Sequence, residues 1–123
     1  MTKRILVVDD DYFIQVLIEA VLLDLGMQVF LADSIASAEA AVAAHQPEII
    51  LVDLELKERD SGLAVTRRLR ASGYRGYIVA MSANLGSEVI RAFADAGSDA
   101  FLPKPIDLVQ LRDVCLSAPD NPN

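Results

Sequence analysis

Two runs of four consecutive aliphatic residues, Ile5, Leu6, Val7, Val8 and Ile49, Ile50, Leu51, Val52, each stop on an aspartate. A run without apolar–polar alternation suits a strand buried on both faces, and such strands belong to parallel sheets covered by helices on each side. Neither run, nor any other stretch, approaches the roughly 18 apolar residues of a membrane-spanning helix. The 53% hydrophobic content of the chain is therefore read as a doubly covered sheet rather than a bilayer segment. No charged-then-apolar leader opens the chain, so export is not expected and a cytoplasmic location is.

Strand and helix patterns alternate along the 123 residues, which are enough for one domain. Residues 4–8 read as a strand. Residues 12–24 read as a helix in which Phe13, Val16, Leu17, Ala20, Val21 and Leu23 recur at helical spacing, with Gly26 placed to end it. Residues 28–32 form a second strand. Ser34 caps an alanine-rich helix that reaches His45 and cannot pass Pro47. The third strand, 49–52, leads into a charged loop, 54–61. A helix follows over 62–72, with Leu63, Thr66 and Leu69 inward and Arg67, Arg68 and Arg70 mostly outward. Strand 77–81, helix 86–96 ended by Gly97, strand 100–102, the stiff corner Pro103-Lys104-Pro105 and a helix from Asp107 to about Leu116 complete the series. Residues 1–118 are expected to be the folded domain and 119–123 a disordered tail. Five such units imply an α/β fold with helices on both faces of a parallel sheet, in the doubly wound order 2-1-3-4-5.

In that order the first and third strands are neighbours and the chain reverses its direction of travel between them, which is where ligands bind in such sheets. Asp9, Asp10 and Asp53 would then converge, with Asp11 and Glu55 nearby. A lone aspartate after a strand is ordinarily a turn former or a cap, and Asp11 is assigned that duty. Crowded carboxylates resist ionising together unless a countercharge is supplied, and a hard divalent cation with oxygen ligands, Mg²⁺, fits such a donor set. Zinc does not: His45 is the sole histidine and Cys115 the sole cysteine. A solitary cysteine also excludes an internal disulfide, and Cys115 is read as a small apolar filler on a helix. A carboxylate beside such a cation can act as a nucleophile toward phosphorus, given electrostatic help for the phosphoryl oxygens. Ser82, at the end of the fourth strand, offers a hydroxyl donor, and Lys104, after the fifth, offers a positive charge.

Four segments in order, Ile5-Leu6-Val7-Val8-Asp9-Asp10-Asp11, Ile49-Ile50-Leu51-Val52-Asp53-Leu54, Val79-Ala80-Met81-Ser82-Ala83 and Ala100-Phe101-Leu102-Pro103-Lys104-Pro105, resemble the receiver domains of bacterial two-component response regulators over residues 3–116. The resemblance implies that Asp53 accepts a phosphoryl group from a sensor histidine kinase or a histidine phosphotransfer protein. It further implies that Asp10 ligates Mg²⁺ directly, that Asp9 acts largely through metal-bound water, and that the backbone carbonyl of Glu55 completes the metal site. Ser82 would be the switch hydroxyl and Lys104 the phosphoryl's cationic partner, with a following Lys104–Pro105 bond that is commonly cis. Phe101 resembles the aromatic that turns inward with Ser82, its other reading being an ordinary core aromatic. A domain of this kind is a phosphoacceptor rather than an enzyme, with Mg²⁺-dependent self-catalysed phosphotransfer and dephosphorylation. It controls a downstream effector or output domain, and a phosphorylation-dependent homodimer is among the outputs the resemblance allows.

The sequence departs from the family pattern in the loop. Lys57 stands where a proline is usual, and Ser61 separates Asp60 from Gly62, so the loop is read as one residue longer. The Glu55 side chain has reach toward the metal or an attacking water, directly or through hydrogen bonding, and is expected to alter dephosphorylation in a direction the sequence does not fix. The formal charge of −7 disfavours direct nucleic-acid binding, which needs a basic face. Three other functions were weighed. A haloacid-dehalogenase-like phosphatase needs Asp-x-Asp and a nearby Thr, and Asp53-Leu54-Glu55-Leu56-Lys57 has neither. A flavodoxin-like mononucleotide binder needs a small-residue phosphate loop where this chain has three aspartates. A receiver that binds partners without being phosphorylated has no use for the full residue set.

Overall fold

A computed structural model describes residues 3–56 and 61–119; the loop residues Lys57, Glu58, Arg59 and Asp60 and the tail from Asp120 lie outside the described residues. Ten elements alternate: β1 (Arg4–Val8), α1 (Tyr12–Asp24), β2 (Gln28–Ala32), α2 (Ile35–His45), β3 (Ile49–Asp53), α3 (Gly62–Ala71), β4 (Tyr77–Ser82), α4 (Ser87–Ala96), β5 (Ala100–Pro103) and α5 (Leu108–Ser117). The strands form one parallel sheet in the order β2-β1-β3-β4-β5, as the alternating pattern implied. Among the described residues no helix is long and apolar enough to cross a membrane.

The two-residue period of a strand divides each aliphatic run between two cores. Ile5, Val7, Ile49, Leu51, Val79 and Met81 pack with Ile18 and Leu22 of α1 and Leu111 and Cys115 of α5. Leu6, Val8, Ile50, Val52 and Ile78 face the other way, onto Ala38 of α2 and Val65 and Leu69 of α3. The four residues of each run are wholly inaccessible, which is why neither run alternates. Cys115 is buried in the first of these cores, and burial pushes its thiol up to about 12, as befits a filler.

Helix starts follow local chemistry. Asp11 accepts from the amides of Phe13 and Ile14, Ser34 and Ser37 form a reciprocal capping box, Ser61 accepts from Ala64, and Asp107 accepts from Val109 and Gln110. Gln46 adopts a left-handed conformation (φ 48°) that ends α2 ahead of Pro47.

Two helix faces differ from the sequence reading. In α1 the buried residues are Ile18 and Leu22, whereas Phe13 is 73% and Leu23 54% exposed. The helix is apolar nearly all round, so spacing alone does not single out one stripe. In α3, Val65 joins Thr66 and Leu69 in the interior and Leu63 is only half-buried. Arg70 also turns back, its guanidinium donating to the carbonyls of Gly97, Tyr74 and Gly76 and pairing with Asp99 at 2.8 Å.

Gly62 opens α3 directly against the end of β3. A Cβ there would collide with the Asp53 carbonyl oxygen and stand 2.7 Å from Leu54 Cα, both backbone atoms with little freedom to move. Gly62→Ala is therefore expected to destabilise the fold by about 1–3 kcal/mol, the usual cost of overpacking. Urea unfolding at equilibrium checks this, with an unchanged midpoint contradicting the close approach.

Candidate functional site

Val8 pairs with Val52 in the β1–β3 register, so Asp9 leaves one strand beside the point where Asp53 ends the other. Carboxylate oxygens of Asp9, Asp10 and Asp53 lie within 4.8 Å of one another. Asp9 is fully buried and Asp53 is 3% exposed. The side chain of Asp9 is steered by its own turn, its Oδ1 accepting from the Asp11 amide at 2.9 Å. The backbone of Asp9 is tied on both sides: its amide donates to the Ala32 carbonyl, and its carbonyl accepts from the Gln15 side-chain amide.

The next two strands bring the remaining residues. Asp53 pairs with Met81, placing Ser82 one residue beyond, and Ser82 pairs with Pro103, placing Lys104 one residue further. Lys104 Nζ stands 2.9 Å from Asp53 Oδ1 and 3.4 Å from Asp9 Oδ2. The peptide bond after it, Lys104–Pro105, is cis. Asp53 Oδ1 also accepts from the Glu55 amide at 3.0 Å, so the carboxylate is oriented from two directions. Phe101 lies on β5, half-buried, and lines a groove of about 400 Å³ with Leu102, Pro103, Gln110 and Val114.

Burial dominates the titration of Asp53, raising its pKa to about 6 with help from the neighbouring Asp9 charge and against the opposing pull of Lys104 and the Glu55 amide. Burial also works against the Lys104 ammonium, but the hydrogen bond to Asp53 and the charges of Asp9 and Asp53 outweigh it and hold that amine above its ordinary value. Three carboxylates gathered in this way make an all-oxygen donor set that fits a hard divalent cation.

Glu55 sits between the Asp53 carboxylate and the end of β4. Its carboxylate Oε1 accepts from Ser82 Oγ at 2.6 Å and from the Ala83 amide at 3.0 Å. Burial opposes its ionisation, but the hydrogen bonds from Ser82, Asp53 and Ala83, with the Lys104 charge, bring its carboxyl below the usual glutamate value. His45 lies away from the site, stacked on Phe30 with ring centroids 3.9 Å apart.

Three contributors are absent from the sequence reading. Gln15 projects from the first turn of α1 to fix Asp9, the Ala83 amide joins Ser82 as a second donor, and Gly62 lets α3 rest on the Asp53–Leu54 backbone. The glycine had a legible signal, its position just after the charged loop. The other two depend on which strand ends become neighbours.

Residues 5–115 match the family model described as the response regulator receiver domain. Sporulation initiation phosphotransferase F of Bacillus subtilis is 27% identical over 113 residues, covering 92% of this chain and 90% of that protein. The transcriptional regulatory protein AruR of Pseudomonas aeruginosa is 38% identical over 113 residues, which cover 87% of this chain and 45% of the relative, so the chain spans about half the length of that regulator. The crystal structure of the receiver domain of NtrX from Brucella abortus superposes with a TM-score of 0.84 at 28% identity, covering 91% of this chain and 94% of that one. Chemotaxis protein CheY4 of Vibrio cholerae shares the fold with a TM-score of 0.91 at 19% identity, covering 97% of this chain and 100% of that one. With the family model running from the first aliphatic strand to the last helix, this chain belongs to the response regulator receiver domain family.

Proposed function

We propose that Asp53 is the phosphoacceptor of this receiver domain, taking a phosphoryl group from a phosphohistidine on a sensor kinase or a phosphotransfer protein. The observation that carries this reading is the setting of the Asp53 carboxylate: at a strand end, held by Lys104 at 2.9 Å, and within 4.8 Å of Asp9 and Asp10. In the transfer, a carboxylate oxygen of Asp53 bonds to phosphorus as the donor's P–N bond breaks and its electron pair returns to the imidazole. Little covalent chemistry is asked of the other residues, whose work is positioning and charge compensation. Lys104 is placed to neutralise a phosphoryl oxygen, and the Ser82 hydroxyl to donate to another. Asp9, Asp10 and Asp53, with the backbone carbonyl of Glu55, would hold a magnesium ion, whose chemistry when bound is to offset the carboxylate and phosphoryl charges. The same residues would govern the return of Asp53 to its unmodified state by attack of water.

Movement of Ser82 toward a phosphoryl group would open space for Phe101, two register positions away on the adjoining strand. That turn would alter the groove between β5 and α5 and bias a partner or output domain. A cytoplasmic location accompanies this reading.

Asp53→Asn is expected to abolish Mg²⁺-dependent labelling by phosphoramidate, and Lys104→Ala to reduce it, as read by intact-protein mass spectrometry. Undiminished labelling of Asp53→Asn would assign the acceptor elsewhere.

Asp53 also makes a pH signature. Its carboxyl is raised from 3.8 to about 6 in the fold, so between those values the folded state keeps a proton that the unfolded state releases. Stability without metal therefore falls as pH rises through this window and levels off above it. Asp53→Asn, an uncharged mimic of the protonated acid, should exceed the parent in stability above pH 6 by on the order of 2 kcal/mol, and lose that lead near pH 4. Added Mg²⁺ should raise the melting temperature of the parent well above any effect on the variant. Thermal unfolding from pH 4 to 8, with and without Mg²⁺, checks both; a variant no more stable at any pH would contradict the buried-charge account.

A further inference from the structure

Two donors at the end of β4, beside the strand that carries Asp53, already have an acceptor. Ser82 Oγ and the Ala83 amide both point at one oxygen of the Glu55 carboxylate, at 2.6 and 3.0 Å. Two hydrogen-bond donors converging on a single anionic oxygen form the kind of cradle that proteins aim at a negatively charged group. The cradle lies at the end of β4, next to the strand whose last residue is Asp53. Glu55 is tethered there, since its own amide donates to Asp53 Oδ1 at 3.0 Å and keeps its backbone two residues beyond the acceptor.

We propose that the Glu55 carboxylate is a built-in competitor for the phosphoryl group, an autoinhibitory anion that occupies the Ser82–Ala83 donors in the unmodified domain and must withdraw when Asp53 is phosphorylated. The inference rests on Asp53 being the phosphoacceptor. A carboxylate oxygen and a phosphoryl oxygen are both anionic acceptors, and the two donors cannot serve both fully. Like charges also repel: a dianionic phosphoryl on Asp53 and a carboxylate on the same cradle would face each other across the site. The internal anion therefore stabilises the unmodified state and opposes ligands that resemble the transferred group. Its effect is opposite to that of Lys104, which attracts the same group from the β5 side. The proposal makes Glu55 a positioning residue for Ser82, setting how readily the hydroxyl is released.

The test titrates beryllofluoride, an anionic mimic of the phosphoryl group, into the full chain at saturating Mg²⁺, following the Ala83 amide by nuclear magnetic resonance. Magnesium affinity is measured separately for each protein, so that loss of metal is not mistaken for loss of the mimic. Glu55→Ala is expected to bind beryllofluoride on the order of tenfold more tightly than the parent, the worth of about one charge-assisted hydrogen bond. Glu55→Gln keeps an accepting oxygen without the charge and should fall between them. With neither Mg²⁺ nor mimic present, the Ala83 amide resonance should shift in Glu55→Ala, reporting the vacated donor. Equal or weaker mimic binding by Glu55→Ala than by the parent, with the parent binding normally and Asp53→Asn not binding, overturns the competitor and leaves the phosphoacceptor reading standing. A parent that binds no better than Asp53→Asn overturns that reading, and this inference with it.

Discussion

The pairing of β1 with β3 gathers negative charge at one end of an otherwise apolar sheet. Val8 and Val52 are partners in the register, and the residues that follow them, Asp9 and Asp53, are acidic. Asp9 and Asp53 are almost fully buried at the place where the aliphatic cores on both faces end. Burying carboxylates is costly unless they are paired, and Lys104 supplies one positive charge to both of them. The cost of that burial, with a smaller part from the Asp9 charge, appears in the titration of Asp53, whose pKa is raised to about 6 despite its lysine partner. The surrounding structure sustains the arrangement: in a five-stranded parallel sheet whose central strands β1, β3 and β4 are buried beyond their first residues, the strand ends are held in register by their neighbours.

Those strand ends are held by small local devices rather than by the core itself. Asp11 both caps α1 and lends its amide to Asp9, so a single residue starts the helix and aims the neighbouring carboxylate. Gln15 reaches back from the same helix to the Asp9 carbonyl and to that of Ala32, joining the ends of β1 and β2. On the other side, the absence of a Cβ at Gly62 lets α3 begin against the backbone of Asp53 and Leu54. A helix displaced there would shift Asp53 relative to Lys104, which is fixed by a different strand and by the hydrogen bond its backbone amide donates to the Ser82 carbonyl.

How much of this was legible in the sequence depended on whether the signal was local. Continuous aliphatic runs identified β1 and β3 because full burial on two faces leaves no alternative pattern, and capping residues marked helix starts because their partners lie two or three positions away. The convergence of Asp9, Asp10 and Asp53 followed once the strand order was inferred. Where the local signal was degenerate the reading slipped: α1 is apolar on several faces, and only contact with the sheet decides that Ile18 and Leu22 turn inward while Phe13 and Leu23 do not. Arg70 looked like a solvent-facing residue, yet its guanidinium donates to the carbonyls of Tyr74, Gly76 and the distant Gly97 and to the Asp99 carboxylate. The direction taken by the Glu55 side chain was equally hidden, because its partners Ser82 and Ala83 lie on β4 and just beyond.

The Glu55 contact can be understood from the needs of a site that waits for its ligand. Without Glu55 the Ser82 hydroxyl would still have the Asn84 carbonyl at 3.0 Å and the exposed Ala83 amide would meet water, so the carboxylate holds these donors more than it rescues them. Water would leave the donors free to receive whatever anion arrives. A tethered carboxylate has a property water lacks: it carries the same sign as the expected ligand. Its departure is therefore coupled to the arrival of charge on Asp53, through repulsion as well as through competition for hydrogen bonds. On the proposed reading, Lys104 and Glu55 would act on Asp53 in opposite senses, one drawing the phosphoryl group in and the other holding its place. A site balanced in this way responds to covalent modification, which fixes the anion beside the cradle, more sharply than to the same anion free in solution.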